Sequence, residues 1–193
     1  PANETKKEFD KKPVLERFDH QLKISGLKTF HTLKPDFSWG CSNIDKLISK
    51  YNLSDYILLF PFCSEHLQQK KWPYYDQLIK LIKQNHPNLK IVIAPGPDEI
   101  EKAKKLDAVS ILKEDKAISI SELAGLIKRS KFVVANDTGP AHMAAHLNVK
   151  GLSLFGSHTT AYKVSIEREN FKAIQVSDLK NLSAEKVFER LVL

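Results

Sequence analysis

The sequence predicts an α/β fold built on a Rossmann-like, doubly wound parallel sheet. Three observations predict it. From Tyr56 onward, short apolar runs alternate with helix-forming stretches. The first run, Tyr56–Phe62 (YILLFPF), is apolar throughout, as a strand covered on both faces must be. The stretches between runs are long enough for crossover helices, which implies parallel βαβ units.

The elements follow in order. Residues 1–52 show helical patterning and no strand. Val14, Leu15, Phe18 and Leu22 fall at helical spacing in a segment that Gly26 can stop. Pro35, Ser38 and Gly40 make a loop, and a short helix is expected from Ser42, with Asp45 as its capping-box partner. After the first strand, Pro73 suits the first turn of a helix that runs to about His86. Lys90–Ala94 is the second strand, a helix is expected over 98–106, and Val109–Leu112 is a third strand. Ser119 and Glu122 form a capping box for the helix ending near Arg129. Strand Lys131–Ala135, a helix over 139–147, strand Gly151–Phe155, strand Phe171–Val176 and a helix capped by Ser183 complete the chain. The expected organisation is a helical linker, 1–52, and a Rossmann-like domain, 53–193.

Composition narrows the functions. The 193 residues include only 7 glycines and 9 prolines, too few for a disordered or fibrous chain. No apolar run is long enough for a membrane-spanning helix, and the charged segment Pro1–Lys12 lacks a secretory signal's apolar core. Cys41 and Cys63 read as reduced thiols, and the histidines show no metal-ligand spacing. The net charge of +7 favours anionic partners. The lysines are scattered, so no nucleic-acid arm stands out. Neither G-x-G-x-x-G nor a Walker motif occurs.

Ligands of doubly wound sheets bind beyond the carboxyl ends of the strands. The segment Asn136–Asp137–Thr138–Gly139–Pro140–Ala141–His142 occupies such a position. Gly139 permits a tight turn and a close ligand approach, and Pro140 suits a first helical turn. The free N–H groups there can hold a phosphate, with the Thr138 hydroxyl as a further donor. Asp137 can accept from sugar hydroxyls, and His142, one turn on, can face the ligand. The plainer reading of the same residues is that Asp137 and Thr138 cap the helix and His142 packs in the core.

Strand–NDTGPxH–helix, followed by a strand ending in Phe155–Gly156, resembles the lipopolysaccharide heptosyltransferase family. The resemblance extends over 56–176. Pro61–Phe62–Cys63–Ser64 with Lys70–Lys71–Trp72–Pro73 is similar to the family's P-G-A-S…K-R-W-P, with Phe62 where the family usually has glycine. The resemblance implies one half of a GT-B glycosyltransferase, two Rossmann-like domains facing a cleft. It implies that Lys70 and Ser64 meet the donor's diphosphate, with Lys70 stabilising the leaving group. In Pro95–Gly96–Pro97–Asp98–Glu99, Asp98 would take the ribose, with Glu99 as its rival. Ile118 would lie against the adenine. Trp72 is expected in the core.

The family further implies an inverting transfer of heptose from ADP-heptose to the lipopolysaccharide inner core, with no cofactor and no metal. The catalytic base would belong to an N-terminal acceptor domain that matches nothing in this sequence. The chain is therefore expected to be a donor-binding half, inactive by itself, from a cytoplasmic protein that can touch the inner face of the membrane. A different nucleotide sugar, or a non-catalytic binding module, satisfies the same residues.

Overall fold

A computed structural model describes residues 9–193, so most of the charged Pro1–Lys12 segment lies outside the described residues. Six parallel strands form one sheet: β1 (Tyr56–Phe60), β2 (Lys90–Ile93), β3 (Val109–Ser110), β4 (Phe132–Asn136), β5 (Gly151–Phe155) and β6 (Phe171–Gln175). Their order is β3-β2-β1-β4-β5-β6, the doubly wound order of a dinucleotide-binding fold. The winding reverses between β1 and β4, which pair from Ile57↔Phe132 to Phe60↔Ala135. Their outgoing loops therefore diverge and leave a crevice at the carboxyl edge.

Both faces of the sheet are covered, which explains the unbroken apolar strands. Tyr56, Leu58 and Phe60 enter one hydrophobic cluster, while Ile57 and Leu59 enter the other. Helices α5 (Ile120–Arg129) and α6 (Gly139–His146) contribute to the first. Helices α3 (Tyr75–Asn85) and α7 (Ala184–Phe188) contribute to the second. The short α4 (Ile100–Ala103) follows a 3-10 turn over Pro97–Glu99, so the helix expected over 98–106 is a single irregular turn. Pro73 precedes the Tyr74 N-cap of α3 and is not in its first turn.

The N-terminal segment carries α1 (Val14–Ile24) and α2 (Asp45–Lys50). Gly26 adopts φ +78°, as a helix-stopping glycine can. No residue of α1 is fully buried: Val14 and Leu15 are half-buried, while Phe18 is 52% exposed, so the apolar stripe is covered only at its start within the described residues. The cap of α2 differs from expectation. Asn43 Oδ1 accepts from Asp45 N at 2.8 Å, and Asp45 is the first helical residue, where it pairs with Arg129. An Asx turn by Asn43 takes the place of a Ser42 cap. Ile44 and Leu47 are buried in the same cluster as Tyr56. A Cβ on Gly125 would stand 2.5 Å from the Ser42 carbonyl oxygen, so the segment lies directly on α5.

The capping box of Ser119 and Glu122 forms as the sequence predicts, and Ser183 accepts from Lys186 N. Both cysteines are free. Among the described residues no helix is long and apolar enough to cross a membrane.

Candidate functional site at the carboxyl edge of the sheet

The site begins with Asn136, the fully buried last residue of β4. Its side-chain oxygen accepts from Trp72 N at 3.1 Å, and its amide donates to the Phe62 carbonyl at 3.3 Å. One side chain thereby fixes both ends of the loop that follows β1. Trp72 is the other anchor. It is wholly buried, its Nε1 donates to the Leu182 carbonyl at 2.8 Å, and its ring meets Tyr75 edge-on at 5.0 Å. A core role for Trp72, as its context predicts, therefore holds. These contacts bring Lys70 beside Asp137.

Asp137 is the centre of the charged part of the site, with only 3% exposure. Lys70 Nζ donates to its Oδ2 at 2.7 Å, and His158 Nε2 lies 3.1 Å from the same oxygen. His142 Nε2 stands 3.6 Å from Oδ1, an electrostatic contact too long for a good hydrogen bond. Burial works to raise the Asp137 pKa, but the donors His142, Lys70 and His158 and the Lys70 charge outweigh it. They hold the carboxyl well below the usual range, so Asp137 is ionised. An ionised carboxylate only accepts, so His158 carries a proton on Nε2.

Behind His142 stands His146, its ring 6.4 Å away. Arg168 Nη2 lies 3.2 Å from His146 Nδ1. Arginine has no acceptor, so Nδ1 accepts and the neutral ring carries its proton on Nε2. Burial, with the Arg168 charge and His142, pushes the His146 pKa down to about 4.

The plain capping role for Asp137 and Thr138 does not hold. Thr138 is the N-cap of α6, yet no side chain caps that terminus, and the Thr138 hydroxyl donates back to the Asn136 carbonyl at 3.2 Å. Ala141 N and His142 N both donate to the Thr138 carbonyl, at 3.0 and 3.3 Å, and Pro140 has no N–H, so of the several free N–H groups the sequence predicts in this turn only that of Gly139 is left for an anion among the described residues. Gly139 has an ordinary φ, and a Cβ there would meet nothing within 4 Å. The turn itself does not demand glycine, which corrects the expectation of a tight turn; the space in front of it is open.

An apolar cavity of about 330 Å³ adjoins this cluster. It lies over the ends of β1 and β2 and the start of α5, and Ser64, Ile118, Thr138 and Pro140 are among its walls. Phe62 lines it too, while also packing on the second hydrophobic cluster. Asp98 is not in this wall. It lines a neighbouring hollow with Ser64, His66 and Lys102. Glu99 Oε2 accepts from Gly96 N at 2.8 Å and so is occupied as a cap. Of the two acids, Asp98 is the exposed carboxylate and Glu99 the structural one.

The sequence-predicted residues thus fall into three adjacent groups: Lys70, Asp137 and His142; Ser64, Ile118 and Thr138 with Gly139; and Asp98. His158 was missed. Lying three residues past the end of β5, it shows no spacing to another ligand, and only the carboxyl-edge position of its loop could have marked it. Among the described residues no group of three His, Cys, Asp or Glu could hold a metal ion.

The model of one protein family, glycosyltransferase family 9 (heptosyltransferase), matches residues 6–190. The chain belongs to that family. As a member of that family it is similar to lipopolysaccharide heptosyltransferase 1 of Campylobacter coli, with 29% identity over 114 residues that cover 54% of this chain and 33% of that protein. Among solved structures it is similar to the E. coli heptosyltransferase WaaC with ADP, with TM-score 0.66 and 22% identity over 90% of this chain and 54% of that one. It also resembles E. coli ADP-heptose lps heptosyltransferase II, with TM-score 0.63 and 18% identity over 85% of this chain and 51% of that one. These likenesses show the same fold. The family 9 chain spans about half the length of these solved relatives and a third of the curated one.

Proposed function

We propose that this chain is the donor-binding half of an inverting glycosyltransferase that moves heptose from ADP-heptose to the inner core of lipopolysaccharide. The observation that carries the proposal is the junction of two unlike surfaces. An apolar cavity lined by Ile118 meets, at Thr138, an uncapped helix N-terminus with Lys70 beside it. A nucleoside diphosphate has this division of character. Its base suits the cavity, and its phosphates suit the Gly139 N–H, the Thr138 hydroxyl, Ser64 and Lys70. The neighbours solved with ADP and with ADP-2-deoxy-2-fluoro heptose support a donor of that class.

In this reading the base enters against Ile118 and under Phe62, and Asp98 accepts from the ribose hydroxyls. Lys70 and the first turn of α6 hold the diphosphate as negative charge develops on it. Asp137 and His142 orient the sugar. The base that takes the acceptor's proton comes from a separate acceptor domain, joined through residues 1–52, which serve as the linker. Acceptor binding and contact with a membrane surface belong to that assembled protein, at the cytoplasmic face.

The test is calorimetric titration of the full chain with ADP and ADP-heptose, against UDP and UDP-N-acetylglucosamine. Saturable binding confined to the adenine ligands supports the proposal. Preferential binding of the uridine ligands would replace the donor, and binding of none would remove the donor-site reading.

A further inference from the structure

Asp137 is met by nitrogens of three side chains. Lys70 Nζ and His158 Nε2 share Oδ2, at 2.7 and 3.1 Å, and His142 stands at Oδ1. The other contact of the Lys70 ammonium, at 3.5 Å, is to the Asp137 backbone carbonyl, so among the described residues its hydrogen bonds are all to Asp137. Two demands then conflict at Lys70. A nucleoside diphosphate arriving at α6 needs its positive charge, while a carboxylate only 3% exposed is costly to leave without a partner.

His158 removes the conflict. Its side chain is 7% exposed, and its ring lies parallel to Phe155, 14° apart at 6.0 Å. On its other edge Nδ1 is buried without a hydrogen-bond partner among the described residues, and a Cβ on Gly156 would stand 3.6 Å from it. Packing, with no second hydrogen bond, therefore sets the ring's orientation. None of this packing involves Lys70, so the bond from Nε2 to Asp137 survives when Lys70 moves.

We propose that His158 is a positioning residue for ligand binding: it holds Asp137 in place and satisfied, so that Lys70 can swing from Asp137 to the phosphates of a nucleoside diphosphate. The inference rests on the donor-site reading above. Lys70 pairs with Asp137 or with phosphate in alternation, and His158 is the constant partner. Without it, Lys70 stays bound to the carboxylate and the phosphates lose their counter-charge.

The test is calorimetric binding of ADP and of adenosine to the full chain, as wild type, His158→Asn, His158→Gln, Lys70→Ala and the double variant His158→Asn/Lys70→Ala. The Asn amide is too short to reach Asp137, whereas the Gln amide falls near the position of Nε2. His158→Asn should weaken ADP about tenfold, the scale of one lost charge-assisted contact, and leave adenosine unchanged. His158→Gln should recover most of the loss. The double variant should bind ADP no more weakly than Lys70→Ala, because both changes remove one Lys70–phosphate contact. Melting curves establish folding, and His158→Leu replaces the Asn variant if that one does not fold. Equal losses for ADP and adenosine, additive losses in the double variant, or no loss would each overturn the proposal. Wild-type protein that binds ADP no better than adenosine overturns the donor-site reading and this inference together.

Discussion

Two loops at the same edge of the sheet each offer a carboxylate, and they could hardly be more different. After β4, Asp137 is buried and ionised and is surrounded by Lys70, His142 and His158. After β2, Asp98 lies exposed on a single 3-10 turn, while its neighbour Glu99 closes the turn through Gly96 N. The first acid is held rigidly before any ligand arrives. The second is free to adapt. Preorganisation favours orientation of a reacting centre. An exposed carboxylate suits recognition of hydroxyls on a part of the ligand that does not react.

The comparison is most easily broken at Asp137. Asp137→Ala leaves Lys70, 22% exposed, without its counter-charge and should lower the unfolding free energy on the order of 3 kcal/mol. ADP binding should weaken in the same protein, and urea unfolding with calorimetry checks both. The folded carboxyl titrates below the ordinary value of 3.8, so its stabilisation is fully present above that value and is lost as pH falls through the lower folded one. The gap between wild type and Asp137→Ala should therefore narrow once pH drops below about 4. A gap that is constant with pH would mean that the pairing contributes nothing.

The next effect lies one layer behind that acid. His146 is kept neutral, with its pKa down at about 4 against an ordinary 6.5. For a base with a depressed folded pKa, stability is full above the unfolded value and is lost as pH falls. Wild-type stability should therefore decline between pH 6.5 and about 4, and His146→Gln should flatten that limb. Urea midpoints across this range measure it.

Smaller effects belong to the other loop. Glu99→Ala removes the cap on Gly96 N and should cost about 1 kcal/mol, read from urea midpoints. Asp98→Ala should change stability by no more than about 0.5 kcal/mol, as an exposed side chain does. It should still weaken ADP roughly fivefold, with no change for a 2′,3′-dideoxy analogue that lacks the hydroxyls. A stability loss at Asp98 equal to that at Asp137 would erase the distinction between the loops.

The order of elements, their parallel pairing and the place of the Asn136–His142 segment at the carboxyl edge of the sheet were legible in the sequence, because they depend on short-range signals. Tyr56–Phe60 is apolar at every position because both faces are covered. Ser119 and Glu122 signal a helix start three residues apart, and Asn136–His142 follows a strand and opens a helix. Lys70 and Asp137 were each visible as candidates for the site.

What the sequence left undecided was which side chain meets which. Lys70 and Asp137 are 67 residues apart and are joined only because β1 and β4 are neighbours at the reversal of winding. Asp98 and Glu99 are adjacent and chemically alike, and the direction of one turn decides that Glu99 caps it while Asp98 faces outward. His158 has no hydrogen-bond partner nearby in the chain among the described residues; its contact with Asp137 exists because β5 lies beside β4. Hydrophobic periodicity and capping act over a few residues and can be read in order along a chain. Contacts between charges on different loops depend on strand order and loop path, which only the folded sheet sets.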